Sequence, residues 1–199
     1  MTQHLELVAY LRRHGRGLPT AVVDLQALRH NAQALRASWP AGHRLRFAVK
    51  SLGCVEVLRR LHRELAALSD QPRFMTFSPH HVLPVLRAFP GAHIMAGKPM
   101  LAPALRQCLA TIVSDNRTNV ERVQFLIDGE DALTDIATIA SALDVTVQIS
   151  LELDIGLRRG GLATADELRR FLALLARYPH VRLAGTMGYD GHVGRLPSV

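Results

Sequence analysis

Lysine occurs only twice in the 199 residues, against 22 arginines. One of the two, Lys50, closes the run Arg44-Leu45-Arg46-Phe47-Ala48-Val49-Lys50, which reads as a short buried strand ending at an amine. Arginine is the ordinary cation of this chain, so a lysine at a strand end points to work that a guanidinium cannot do. A buried lysine can shed its proton, and its free amine can form a Schiff base with a carbonyl carbon. The plainer alternative is a strand-end lysine that reaches solvent.

Two further stretches hold residue types that could do chemistry. In Glu152-Leu153-Asp154-Ile155-Gly156-Leu157-Arg158-Arg159-Gly160-Gly161, alternation along a strand puts the Glu152 and Asp154 carboxylates on one side. If that side faces an interior the acids need partners. The turn that follows offers Arg159 and glycines that accept tight backbone. A solvated strand-to-loop turn is the plainer alternative. In Gly185-Thr186-Met187-Gly188-Tyr189-Asp190-Gly191-His192, small residues would let a flat ligand lie close to a strand end. Tyr189 and His192 add aromatic faces and proton-transfer groups, although a lone histidine is more often structural.

These residues need a frame that gathers strand ends. The periodicity predicts a helix over 5–14, ended by Gly15 and Gly17, a short strand over 19–24 and a helix over 25–38. After the turn Trp39-Pro40-Ala41-Gly42, apolar runs at 45–50, 73–77, 93–96, 123–127, 145–154 and 181–188 read as strands. Helical patterns at 55–68, 79–88, 102–114, 130–143 and 164–178 separate them. Short continuous apolar strands between helices imply βαβ units and a parallel sheet covered on both faces. Residues 1–42 then form a helix, strand and helix leading into an α/β region over 43–199. An open doubly wound sheet and a (β/α)₈ barrel lacking two strands both fit this order, and no G-x-G-x-x-G follows the first strand. Lys50, Thr76, Asp154 and Tyr189 fall at C-terminal strand ends, where either fold places its active site.

Composition narrows the function classes. Apolar residues make up 48% and charged residues 21% of the chain, as in globular proteins. No apolar run approaches the roughly 20 residues that span a bilayer, and Met1–Glu6 does not read as a signal peptide. Two cysteines are too few for a disulfide scaffold, so a cytoplasmic protein is expected. The net charge of +7 and pI near 10.4 raise nucleic-acid binding. The arginines are scattered in pairs such as Arg59-Arg60 rather than massed in a block, and aromatics are 5%. Neither nucleic acid nor membrane is therefore an expected partner.

Set in this order, the motifs resemble a known family. Ala21-Val22-Val23-Asp24-Leu25-Gln26-Ala27-Leu28-Arg29-His30-Asn31 is similar to the opening of alanine-racemase-type, fold-type III pyridoxal-phosphate enzymes. There a strand leads into an "aLxxN" helix, and the cofactor lysine follows at the end of the first barrel strand, where Lys50 falls. Glu152-x-Asp154-x-Gly156-x-x-Arg159-x-Gly161 resembles the "ExDxGxxRxG" signature of their fifth strand. Gly188-Tyr189-Asp190-Gly191-His192 and the turn Gly97-Lys98-Pro99-Met100 are similar to the D-threonine aldolase and D-serine dehydratase branch. The context Val49-Lys50-Ser51 departs from the His-Lys-Thr type of that branch.

The resemblance implies an alanine-racemase-like TIM barrel with about six of its eight βα units present here. The family's later strands, phosphate-binding loops and C-terminal β domain would lie beyond this chain. It implies that Lys50 holds pyridoxal 5'-phosphate and acts as acid and base at the substrate α-carbon. Arg159 would bond the phenolic-oxygen side of the cofactor, and Tyr189 would lie near its ring. His192 and Asp154 are further candidates. No metal ligand is implied within this chain. A divalent metal in the aldolase and dehydratase branch would be held by the later strands. The implied parent is a homodimeric enzyme acting on a small D-amino acid, a lyase of the aldolase or dehydratase type. An amino-acid racemase, a non-catalytic pyridoxal-phosphate-binding barrel and an unrelated open α/β protein are the alternatives. A barrel stopping at the sixth strand leaves two unpaired edges, so the 199 residues alone are expected to bind cofactor weakly and to turn nothing over.

Overall fold

The computed structural model describes residues 2–50, 53–69 and 71–195; Ser51 and Leu52, which follow Lys50, lie outside them. The chain divides into two compact units, 1–38 and 39–199. The first holds α1 (Thr2–His14) and α2 (Leu25–Ser38). The strand expected over 19–24 does not form. A strand needs a partner for its ladder, and among the described residues this segment has none; Val22 and Val23 stay exposed. Its last residue does other work. Asp24 Oδ1 accepts hydrogen bonds from the amides of Gln26 (2.8 Å) and Ala27 (3.1 Å), satisfying the otherwise unpaired donors that open α2.

The second unit alternates strand and helix throughout. Its elements are β1 (Phe47–Val49), α3 (Val55–Glu64), β2 (Arg73–Thr76), α4 (Pro79–Ala88), β3 (His93–Ala96) and α5 (Ala102–Asn116). They continue with β4 (Val123–Ile127), α6 (Glu130–Ala142), β5 (Val147–Leu153), α7 (Ala165–Leu175) and β6 (Val181–Gly188). All six strands are parallel and lie in the order β1-β2-β3-β4-β5-β6. A doubly wound sheet reverses its strand order at a switch point. This one steps always the same way, as a (β/α) barrel does. The architecture is therefore a six-strand portion of a barrel, and among the described residues β1 and β6 are each paired on one side only.

Strand parity divides the sheet into two unlike faces. On the helix side, Phe74, Ile94, Val123, Phe125, Val147, Ile149 and Leu151 are all but fully buried. They pack against helix residues such as Leu58, Val82, Leu109, Ile112, Ile136 and Phe171. Burial of each such side chain stabilises the fold by roughly 1.5–3 kcal/mol. The registers place Ala48, Met75, Met95 and Gln124 together on the opposite, inner face, and likewise Gln148, Ser150 and Glu152. Thr76 corrects the strand-end list. It falls on the helix side, wholly buried, with no hydrogen-bond partner for Oγ1 among the described residues, and so does not belong to the inner-face set.

Candidate active site

Extending the inner face past the strand ends yields a set of functional side chains. Lys50 follows Ala48 in parity, Phe77 follows Met75, Gly97 follows Met95, and Asp128 follows Gln124 and Leu126. Glu152 sits on β5 itself, in register with Met187 of β6, with Tyr189 two residues further on. Five of these line a single cleft of about 640 Å³ at the C-terminal strand ends: Lys50, Phe77, Gly97, Asp128 and Glu152. Lys98, Pro99, Arg159 and Gly160 complete its wall. At Gly97 and Gly160 the wall is bare backbone.

Lys50 is exposed, with Nζ 5.3 Å from the centre of the Phe77 ring, a distance at which the ring's electron-rich face attracts an ammonium. Arg159 enters from the loop after β5, its guanidinium carbon 4.5 Å from the centre of the Tyr189 ring. Glu152 is only 8% exposed. Burial, reinforced by the neighbouring Asp128 carboxylate, raises its pKa above the ordinary carboxylate value, and Arg159 opposes that rise.

The loop that carries Arg159 is built by Asp154. Its Oδ1 accepts from the amides of Gly156 and Arg158, both at 2.9 Å, and these bonds hold its carboxyl below the usual carboxylate range. Gly161 closes the loop at φ +88°, returning the chain beside β5. There Leu162 N donates to Glu152 O and Asp154 N donates to Leu162 O, each at 3.0 Å. The geometry thus gives Asp154 the task of shaping the turn that presents Arg159. His192 lies just outside the cleft wall. Its Nε2 would stand 3.1 Å from a Cβ at Gly156, its charge bears on Asp154, and its buried Nδ1 has no partner among the described residues. No group of three or more His, Cys, Asp or Glu among the described residues is arranged to hold a metal ion.

The profile of the alanine racemase N-terminal domain matches residues 23–197. The chain belongs to the alanine racemase N-terminal domain family. No curated protein matches it. Among solved structures it is similar to the alanine racemase of Bacillus anthracis with bound L-Ala-P, at 17% identity and TM-score 0.68 over 90% of this chain and 45% of that one. The D-threonine aldolase of Filomicrobium marinum matches at 22% identity and TM-score 0.65, over 85% and 43%. The alanine racemase of Streptomyces lavendulae, a D-cycloserine producer, matches at 26% and TM-score 0.60, over 86% and 43%. The chain thus spans less than half the length of these structures.

Alanine racemases of this family use pyridoxal phosphate, and the cleft suits such a group. An amine stands in it, bare backbone at Gly160 leaves room for a flat ring, and Lys98 and Arg159 supply positive charge for an anionic ligand. The sequence pointed to Lys50, Arg159 and Tyr189, and the structure puts the first two in one cleft with Tyr189 stacked against the second. It did not point to Asp128 or Phe77. Their signal was positional: each is the first inner-face residue beyond its strand.

Proposed function

We propose that this chain is the lysine-bearing barrel portion of a pyridoxal-phosphate enzyme acting on a small D-amino acid, a lyase of the D-threonine aldolase or D-serine dehydratase type. The observation that carries the reading is the meeting of Lys50 and Arg159, 109 positions apart in sequence, on one cleft at the strand ends. When bound, the cofactor supplies an electron sink for the charge left at the substrate α-carbon.

The chain's own residues divide the remaining work. The Lys50 amine would hold the cofactor's aldehyde carbon and then move a proton at the substrate α-carbon, a transfer that needs the amine within hydrogen-bond reach of that proton. Arg159 would set its fixed positive charge against the phenolic oxygen, and Tyr189 would bound the ring on one side. Phe77 and Pro99 give that wall its apolar, water-excluding part. His192, with Nε2 beside the Gly156 turn and Nδ1 without a partner among the described residues, would serve proton transfer at the substrate side chain. Its place next to Gly188–Gly191 supports a lyase over a racemase. The same reading carries a homodimeric, cytoplasmic parent in which any divalent metal is held outside this chain.

The test is proton exchange at the α-carbon. The parent enzyme is incubated with D-threonine, D-serine and D-alanine in deuterium oxide and followed by proton NMR. Either cleavage of the Cα–Cβ bond of D-threonine to glycine and aldehyde, with solvent deuterium entering at the glycine α-carbon, or loss of the D-serine Cα–H with formation of 2-oxo acid and ammonia is expected, and Lys50→Arg should abolish it. Exchange accompanied only by the L-enantiomer would replace the lyase with a racemase. Exchange that survives in Lys50→Arg would remove lysine from the chemistry.

A further inference from the structure

Both lysines of the chain line the same cleft, Lys50 from the end of β1 and Lys98 from the end of β3. Of the 22 arginines, Arg159 is the one that joins them among the described residues. The second lysine has a fixed base and a free head. Gly97 N donates to Thr76 O at 2.8 Å, and a Cβ at Gly97 would stand 2.5 Å from Met75 Cγ, so the backbone before Lys98 is seated on β2. Pro99 follows and holds Lys98 out of the helical region. The side chain is exposed, and its ammonium makes no hydrogen bond or ion pair with a described residue. The other two cations of the cleft have contacts: Lys50 faces the Phe77 ring, and Arg159 lies on the Tyr189 ring.

We propose that Lys98 binds the carboxylate of the amino-acid substrate and thereby sets which enantiomer the site accepts. The inference rests on the function proposed above and adds the group that orients the substrate. β2 lies between β1 and β3, so the ends that carry the two lysines are two ladder spacings apart, about 10 Å. A substrate whose nitrogen is fixed at the cofactor's aldehyde carbon beside Lys50 extends its carboxylate part of that way. The flexible stem of Lys98 spans the rest and brings a compact positive charge to it. Asp128 and Glu152, from β4 and β5, are the acids of the cleft; they repel a carboxylate from their side and leave the β3 side as its seat. Handedness follows from the number of anchors. With nitrogen and carboxylate both held, the two enantiomers differ by exchanging hydrogen and side chain, and one of them turns its reacting bond away from Lys50. Remove the carboxylate anchor and that distinction fades. The cofactor phosphate is the second anion that an ammonium could take, and the test separates the two.

The experiment compares the parent enzyme with Lys98→Met, which replaces an exposed cation by a neutral unbranched side chain and leaves the core untouched. KM for D-threonine and D-serine should rise about 10- to 100-fold, the loss of one charged hydrogen bond, and the preference for D over L substrate should fall with it. Cofactor affinity, read by absorbance titration, should change less than about twofold. A direct readout needs no turnover. In protein labelled with ¹³C at lysine Cε, the signal that disappears in Lys98→Met should shift saturably with D-lactate, which keeps the carboxylate and lacks the amine, and should not respond to inorganic phosphate. This arm decides the question even if Lys50→Arg shows that the proposed chemistry is wrong. A loss of cofactor affinity at unchanged KM would give Lys98 to the phosphate and overturn the proposal. So would an unchanged D-over-L preference, or a Lys98 signal indifferent to D-lactate.

Discussion

Replacing Gly161 with alanine should unhinge the loop that presents Arg159. The backbone there has φ +88°, and a Cβ would stand 2.6 Å from Glu152 O, 2.7 Å from Glu152 C and 2.9 Å from Glu152 Cγ. Two of these are backbone atoms of a buried strand, so the loop must move rather than the strand. The movement strains the two bonds that seat it, Leu162 N to Glu152 O and Asp154 N to Leu162 O. Backbone strain at a disfavoured φ costs about 1–3 kcal/mol and each weakened hydrogen bond about 1 kcal/mol. The lower unfolded-state entropy of alanine returns about 0.4–1 kcal/mol, leaving a net loss of roughly 2–4 kcal/mol. Urea unfolding read by circular dichroism measures it, with Gly185→Ala as control. Gly185 lies in β6 with nothing within 4 Å of its Cβ position, and its variant should stay within about 0.5 kcal/mol of the parent. A Gly161→Ala protein as stable as the Gly185→Ala control would refute the close-approach argument.

Glu152→Gln should be more stable than the parent at neutral pH. The folded protein binds the Glu152 proton more tightly than the unfolded chain does, so ionised Glu152 is a burden that eases as pH falls through its raised pKa. The advantage of the variant should shrink in step, and an advantage that grows towards acid would contradict the assignment. Asp154 has the opposite sign. Its pKa is lowered by the amides of Arg158 and Gly156. The stability it contributes is therefore complete above the ordinary carboxylate pKa and is lost as pH falls through the depressed one. Asp154→Asn should flatten that part of the stability–pH curve, and an unchanged acid limb would sink the idea. A thiol reagent should label one cysteine per folded chain. Cys54 is exposed, whereas burial pushes the Cys108 thiol up to about 11. Equal labelling of both by peptide mapping would show that α5 does not bury Cys108 as described.

Much of the frame was legible because its signals are local. Six continuous apolar runs separated by helical patterns marked β1 to β6, and the turns at Gly42 and Gly97 bounded two of them. Strand order was not legible. Nothing in the periodicity of one segment says which other segment it pairs with, and that pairing distinguishes a barrel from a doubly wound sheet. The run 19–24 shows the same limit from the other side: its residues favour extension, but extension without a partner ladder is not a strand. In the site, Lys50 stood out because lysine is rare here and Arg159 because glycines surround it. Thr76 misled because it ends a strand on the wrong parity, one residue before Phe77, which faces the cleft. Asp128 and Phe77 are ordinary residue types whose meaning comes from the inner-face register. Asp154 shares the parity of Glu152, but its carboxylate is occupied by two amides of the following turn.

The most direct test is to ask which lysine the cofactor reaches. The protein is saturated with pyridoxal phosphate and reduced with borohydride, and its proteolytic peptides are mapped by mass spectrometry. The experiment has a real rival, because Lys98 lines the same cleft as Lys50. The pyridoxyl label is expected on Lys50, where the inner face of β1 ends, and should disappear in Lys50→Arg. A label on Lys98 alone, or on neither lysine at saturating cofactor, would contradict the account.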